Sequence, residues 1–463
     1  MPWISSREDV IDTECLLPAQ ASAVANVARR IPRLADGTEL IGEYQGSGFQ
    51  EQKFIVRRVD GQVIQLPRLL YLLAAILDGK RDLEQIAAAL GDELDRIFQA
   101  DQVGFLIDQK LRPAGLVADD SAAGAGKPPA KMMVKPDPLL ALRFRVGVVP
   151  ERVVWRIAGL FQPMFWPPVI VSALAAFVGL DVAIIARGGT AQIVPGALAL
   201  VSQPGLTLLV IAMIVAAAAF HECGHVAGCR YGGAQPGKMG VGLYLVWPAL
   251  YSTVTDSYRL DRVGRLRTDL GGVYFNAVFI AALNIAYLDS GSQWVLVTIV
   301  FLHFETATQF LPMVRLDGYY ILSDLIGVPD LFSRMGPVLI SMIPGRPAHA
   351  RVLELKRWVR YTITLWVLIV VPWLLYWVIG FVMVAPRLLP AVLHKVGELG
   401  HTVTALATAG QVAATAVGVI QIFLLLLPWA GGLLLLGMIV HDPLRWAMSR
   451  WAAARVQAGR SSC

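Results

Sequence analysis

Charge is what this sequence has least of. Only 16% of its 463 residues are Asp, Glu, Lys or Arg, against 56% hydrophobic, and the mean hydropathy is +0.58. That balance excludes an ordinary soluble globular chain. The formal net charge of +6 comes from basic residues scattered between apolar stretches rather than gathered on one face, so no nucleic-acid partner is expected. Cysteine is sparse too: Cys15, Cys223, Cys229 and Cys463 have no paired spacing, which excludes a disulfide framework. The first residues, Met-Pro-Trp-Ile-Ser-Ser-Arg-Glu-Asp-Val, lack a basic start leading into an apolar run, so no signal peptide is expected and the first domain stays where the chain is made.

What is present falls into three parts. Residues 1–118 read as a soluble, winged-helix-like α+β domain, with short strands at Glu39–Tyr44 and Lys53–Val59 and a turn at Asp60-Gly61 leading to a third strand. Helices at Leu66–Asp78 and Leu83–Leu90 follow, separated by the stop Asp78-Gly79-Lys80. Residues 119–138, rich in Ala, Gly, Pro and Asp, read as a flexible linker. Arg143, Arg145, Arg152 and Arg156 then form a basic flank to the first long apolar stretch.

Residues 139–463 read as a polytopic membrane helical bundle, so the fold class is mainly α. A span needs roughly 20 apolar residues, and about six are expected, near 165–186, 205–229, 270–287, 293–311, 361–384 and 413–440. The loops after even-numbered spans hold most of the Lys and Arg, among them Arg259, Arg262, Arg265, Arg267, Arg334, Arg351, Arg357 and Arg445. By the positive-inside rule both termini face the cytoplasm, in what is expected to be a bacterial cell membrane, and residues 221–225 lie near its inner face.

Those residues, His221-Glu222-Cys223-Gly224-His225, carry the clearest chemistry. Side chains four apart on a helix lie one above the other, so both imidazoles can reach one metal ion while Glu222 reaches water bound to it. Ionisable groups directly after the apolar run Ile211–Phe220 are costly beside a membrane and are kept for function. A catalytic zinc also needs a third protein ligand and an open position. Asp317, in Leu316-Asp317-Gly318 after the helix-breaking Pro312, is the best candidate.

With these residues in view, the chain resembles the site-2 protease family of membrane-embedded zinc metalloproteases. The resemblance covers roughly residues 160–330 and rests on the two metal motifs, with Gly272-Val273-Tyr274-Phe275-Asn276 similar to the family's Gly-Pro-x-x-Asn element. Val273 stands where the family has proline, and Gln309 where it has asparagine. The resemblance implies an intramembrane endopeptidase with zinc on His221, His225 and Asp317, Glu222 as general base, and Asn276 and Gln309 toward substrate backbone or the oxyanion. Residues 31–118 are similar in element order to PqqD-like modules, which implies a leader-peptide partner for a ribosomally made, modified peptide. The substrate is then a precursor peptide or a membrane-associated protein; regulated cleavage of a membrane-anchored signalling protein, and a non-catalytic metal-binding docking or export subunit, stay open.

A helical substrate must unwind before its carbonyl can be attacked, and exposed backbone in lipid needs a partner. Met239–Trp247, stopped by Pro248, is read as pairing with Leu250–Thr255 in a hairpin whose edge either receives substrate or is merely interfacial. Cys229 lies about 12 Å along the helix from His221 and reads as packing, as does Cys223. His303 and Glu305 read either as groups satisfied by pairing inside the bundle or as a gate for water or substrate. His349, His394, His401 and His441 read as solvated.

Overall fold

The computed structural model describes residues 31–59, 62–118, 142–244 and 246–460, except the side chains of 142–144 and 438–460. The expected turn at Asp60-Gly61, the linker 119–138, Cys15, Cys463 and the His441 side chain lie outside these. The chain divides into two compact units: Met1–Glu43 with Gln52–Val134, and Tyr44–Glu51 with Lys135–Cys463.

In the first unit β1 (Glu39–Glu43), β2 (Lys53–Arg57) and β3 (Val63–Pro67) form an antiparallel sheet in that order. β2 alternates Phe54 and Val56 with Ile55, and Phe54 stands opposite Leu66. That pairing holds Leu66 in a strand, so the helix expected from residue 66 begins after Pro67, as α1 (Arg68–Ile76). α2 (Leu83–Leu94) starts at a capping box in which Asp82 and Gln85 satisfy each other's backbone N–H groups. α3 (Ala100–Leu106), unexpected from sequence, closes the unit. Val56, Leu73, Ile86, Leu90, Val103 and Leu111 form its core.

The second unit begins with β4 (Leu142–Val149) and α4 (Glu151–Phe161), then α5 (Pro167–Ala186), α6 (Ile193–Ser202) and α7 (Pro204–Tyr231). β5 (Met239–Tyr244) and β6 (Trp247–Ser252) follow, then α8 (Arg262–Ser290), α9 (Gln293–Gln309), α10 (Asp317–Ile326) and α11 (Phe332–Ser341). α12 (Ala350–Leu353), α13 (Arg357–Thr408) and α14 (Val412–Arg460) complete it. Among the described residues five helices are long and apolar enough to cross a membrane: α5, α7, α8, α13 and Val412–Gly437 of α14. The fourth expected span, 293–311, is instead the 17-residue α9. At 1.5 Å per residue it is about 25 Å long, short of a hydrocarbon core of about 30 Å.

α8 is the enclosed member of the bundle. Of its apolar window 56% is buried, against 6–17% for the other four, so it forms the centre and the others face outward. α7 packs along it more extensively than any other pair of elements pack.

The expected hairpin exists as β5 and β6, but Pro248 lies inside β6, opposite Leu243. β6 is an edge strand, where proline costs no ladder hydrogen bond. β5 is central because β4 pairs with its other side, Leu142 opposite Tyr244 and Val149 opposite Met239. The basic flank at 143–145 is therefore strand, its arginines alternating with Leu142, Phe144 and Val146.

Candidate metal centre

The site is built where α7 and α8 cross. Gly224 and Gly271 meet backbone to backbone; a Cβ on either would run into the other's main chain. Small residues at such a crossing let two helices in lipid approach closely. The close approach brings α8 beneath the imidazoles projecting from α7. A Cβ on Gly272 would collide with both His221 and His225.

His221 and His225 are both buried, and their Nε2 atoms are 3.1 Å apart. His225 Nδ1 donates to the Thr268 carbonyl on α8 at 2.8 Å, which fixes its tautomer and leaves the Nε2 lone pair facing the cluster. Asp317 completes a triangle, with Oδ2 3.2 Å from His221 Nε2 and Oδ1 3.5 Å from His225 Nε2. Asp317 is the first residue of α10, where the helix dipole favours a negative charge. Pro312 and the turn behind it end α9 and deliver that residue. Trp366 Nε1 donates to the Pro312 carbonyl at 2.8 Å, and Tyr244 Oη accepts from the Arg315 N–H at 3.1 Å. The Arg315 guanidinium stacks over Tyr319 and Phe332. Without a metal, burial alone raises the Asp317 pKa, but attraction to His225 and His221 when these are protonated outweighs it and holds the carboxyl below its ordinary range.

These donors fit a zinc ion. Ligands at 2.0–2.1 Å in a tetrahedron lie roughly 3.3 Å from one another, close to the 3.1–3.5 Å observed between the three donor atoms. Two imidazole nitrogens and one carboxylate could hold one ion, and three protein ligands leave a fourth tetrahedral position over. His221 Nδ1 is buried with no hydrogen-bond partner among the described residues.

Glu222, half-buried, interacts electrostatically with both histidines. Asn276 and Gln309 are brought together, but with each other: Asn276 Nδ2 donates to Gln309 Oε1 at 3.0 Å and to Thr306 Oγ1 at 3.1 Å. Gln309 in turn donates to Glu305. Both N–H groups of Asn276 are thus engaged within the protein, and contact with an oxyanion requires one to be released. His303 and Glu305 are each satisfied inside the bundle, Glu305 by Gln309 and His303 by an acid on another helix. His303 binds Asp181 on α5 at 3.1 Å, and Asn284 donates to the same carboxylate at 2.8 Å. Cys229 is fully buried and Cys223 packs against Phe275 and its aromatic neighbours. His394 and His401 are exposed, whereas His349 caps α12 through Nδ1.

Sequence reasoning missed Thr268, Asp181 and Asn284, and named Gly272 only as the start of the asparagine element, without its place beneath the imidazoles. Thr268 acts through a backbone carbonyl, which no residue type announces. Gly272 carried a signal, a Gly-Gly pair at the start of an apolar helix. Asp181 stood alone as an acid within a span, which by itself invites a functional reading.

No family model and no solved structure matches the chain. A stretch of 130 residues, 27% of the chain, is 26% identical to the Bacillus subtilis (strain 168) protein named "Putative peptide zinc metalloprotease protein YydH", covering 51% of that protein. The chain therefore matches about half the length of this curated relative, and the likeness is to a zinc metalloprotease by name and to nothing finer.

Proposed function

We propose that this protein is a membrane-embedded zinc endopeptidase of the site-2 protease type. The observation that carries the reading is the triangle of His221, His225 and Asp317 donor atoms beside Glu222, on and next to helices apolar enough to lie in a bilayer. His221, His225 and Asp317 would hold the ion. When bound, zinc supplies Lewis acidity toward the scissile carbonyl and lowers the pKa of a coordinated water. Glu222 accepts the proton of the attacking water and returns it to the leaving amine. Asn276, with Gln309, reaches the substrate backbone or oxyanion when its internal hydrogen bonds open. The edge of β6 adjoins an already paired strand and offers main-chain groups to an unwound substrate.

The substrate we infer is a membrane-associated precursor peptide. Support comes from the name of the Bacillus relative and from the first unit, whose three-stranded antiparallel sheet followed by helices suits a winged-helix-like, PqqD-like module. The outer strands of such a sheet can add a leader peptide by main-chain hydrogen bonds. In this reading residues 1–118 are the recognition domain, 119–138 a linker and 139–463 the protease, with both termini cytoplasmic and the protein in the inner membrane.

The test is zinc content and cleavage of the detergent-purified protein. Near-stoichiometric zinc in wild type, lost in His221→Ala and Asp317→Ala, is expected. Glu222→Gln should keep the metal and lose cleavage by about 10²–10⁴-fold. Zinc absent from wild type would end the metalloprotease reading; zinc retained in Asp317→Ala would remove Asp317 from the ligand set.

A further inference from the structure

α10 carries Asp317 on its first residue and Asp324 two turns later. Asp324 is 5% exposed and faces Arg265 of α8, which is wholly buried. Arg265 spends its donors on three segments: Nε to Asp324 Oδ1 at 3.2 Å, Nη1 to the Leu260 carbonyl at 2.8 Å, and Nη2 to the Gln45 carbonyl at 3.0 Å. Tyr44, 0% exposed, donates from Oη to the same Asp324 oxygen at 3.3 Å, and its ring lies 4.4 Å beneath the Arg265 guanidinium. Asp269, one residue beyond Thr268, interacts electrostatically with Asp324.

Tyr44 and Gln45 begin the segment Tyr44–Glu51, which leaves the strand order between β1 and β2 and packs within the second unit. Its backbone is fixed along its length. Gly48 N–H donates to the Gly327 carbonyl at 3.0 Å just after α10, the Lys356 N–H donates to the Gly48 carbonyl at 2.9 Å, and the Gln50 N–H donates to the Glu354 carbonyl at 2.8 Å. Phe49 shares a core with Tyr319 and Ile326 of α10. The helix that delivers Asp317 is therefore gripped at its far end by this segment and tied through Arg265 to α8, the helix that orients His225 and leaves room for both imidazoles.

We propose that Tyr44 is a positioning residue for the metal centre: through Asp324 and Arg265 it sets where α10 holds the Asp317 carboxylate relative to His221 and His225. The inference rests on the metal-site reading above. A buried carboxylate accepting from a tyrosine and an arginine has its direction defined by both of them, and removal of one lets the helix settle elsewhere. Groups that orient a ligand from outside its coordination shell typically change metal affinity by 10–100-fold.

The experiment is chelator competition for zinc on the full-length protein in detergent, with melting of the zinc-free protein in parallel. Tyr44→Phe keeps the ring over Arg265 and removes only the hydroxyl. It should weaken zinc binding by about tenfold while zinc-free melting stays at the wild-type temperature. Asp324→Asn should weaken it at least as much, and the double variant should be no weaker than Asp324→Asn alone, because Tyr44 acts through that carboxylate. Wild-type zinc affinity in Tyr44→Phe, or additive losses in the double variant, overturns the proposal while leaving the metal centre standing. Failure of wild type to bind zinc overturns both.

Discussion

Gly272 on α8 lies so close to His221 on α7 that no methyl group fits between them, and the same is true of His225. Alanine is the better helix former by about 1 kcal/mol, so Gly272→Ala should leave the helices intact. Its Cβ must displace the imidazoles, and zinc affinity should fall by tenfold or more. Zinc titration beside circular dichroism checks this; unchanged affinity with unchanged helicity would show that the imidazoles have another place to go.

Acidification should release the metal through the histidines. Asp317 has its pKa held below the ordinary carboxylate range, so its ionised form persists above about pH 4 and is lost only below that. Histidine, with an ordinary pKa near 6.5, protonates first and cannot ligate when protonated. Zinc release followed by an indicator dye should therefore be centred above about pH 4.5. A midpoint below 4 would assign the limiting proton to the carboxylate.

Asp181, His303 and Asn284 join α5, α9 and α8 by hydrogen bonds of 2.8–3.1 Å between apolar helices. Asp181→Asn keeps the shape and removes the charge. Interhelical bonds of this kind in lipid are worth about 0.6 kcal/mol on average and up to about 1.7. A loss of unfolding free energy in that range is expected, with zinc stoichiometry unchanged. Loss of zinc in this variant would place the triad within the metal centre's support.

The metal motifs were legible because their geometry is local. His221 and His225 share a face by helical spacing alone, and Asp317 follows a proline that must end a helix. Helices α5, α7 and α8 were equally legible from apolar length, whereas α13 was expected only over 361–384 and continues as helix to Thr408, through Arg387 and Lys395. β4 was not, although Leu142, Phe144, Val146 and Val148 alternate, because arginines beside an apolar stretch read first as a membrane flank. α9 was overextended for a related reason: Phe310 and Leu311 continue its composition, but the chain has already turned ahead of Pro312. Nothing local marks Tyr44 or Asp324, since their partnership joins residues 280 positions apart.

The Tyr44–Glu51 segment bears on how such a protein can be divided or inherited. A chain started at residue 139 would carry His221, Glu222, His225, Asp317 and the five long apolar helices found among the described residues, and would look complete by motif. It would still lack Phe49 from the core around Tyr319, and the Gln45 and Gly46 carbonyls that accept from Arg265 and Arg262. Modules joined only by a tether can be shuffled, lost or exchanged one at a time. Here part of the second unit is encoded within the amino-terminal sheet, so exchange of that sheet for another must supply a replacement for these eight residues or leave the buried Arg265 short of one of its three acceptors.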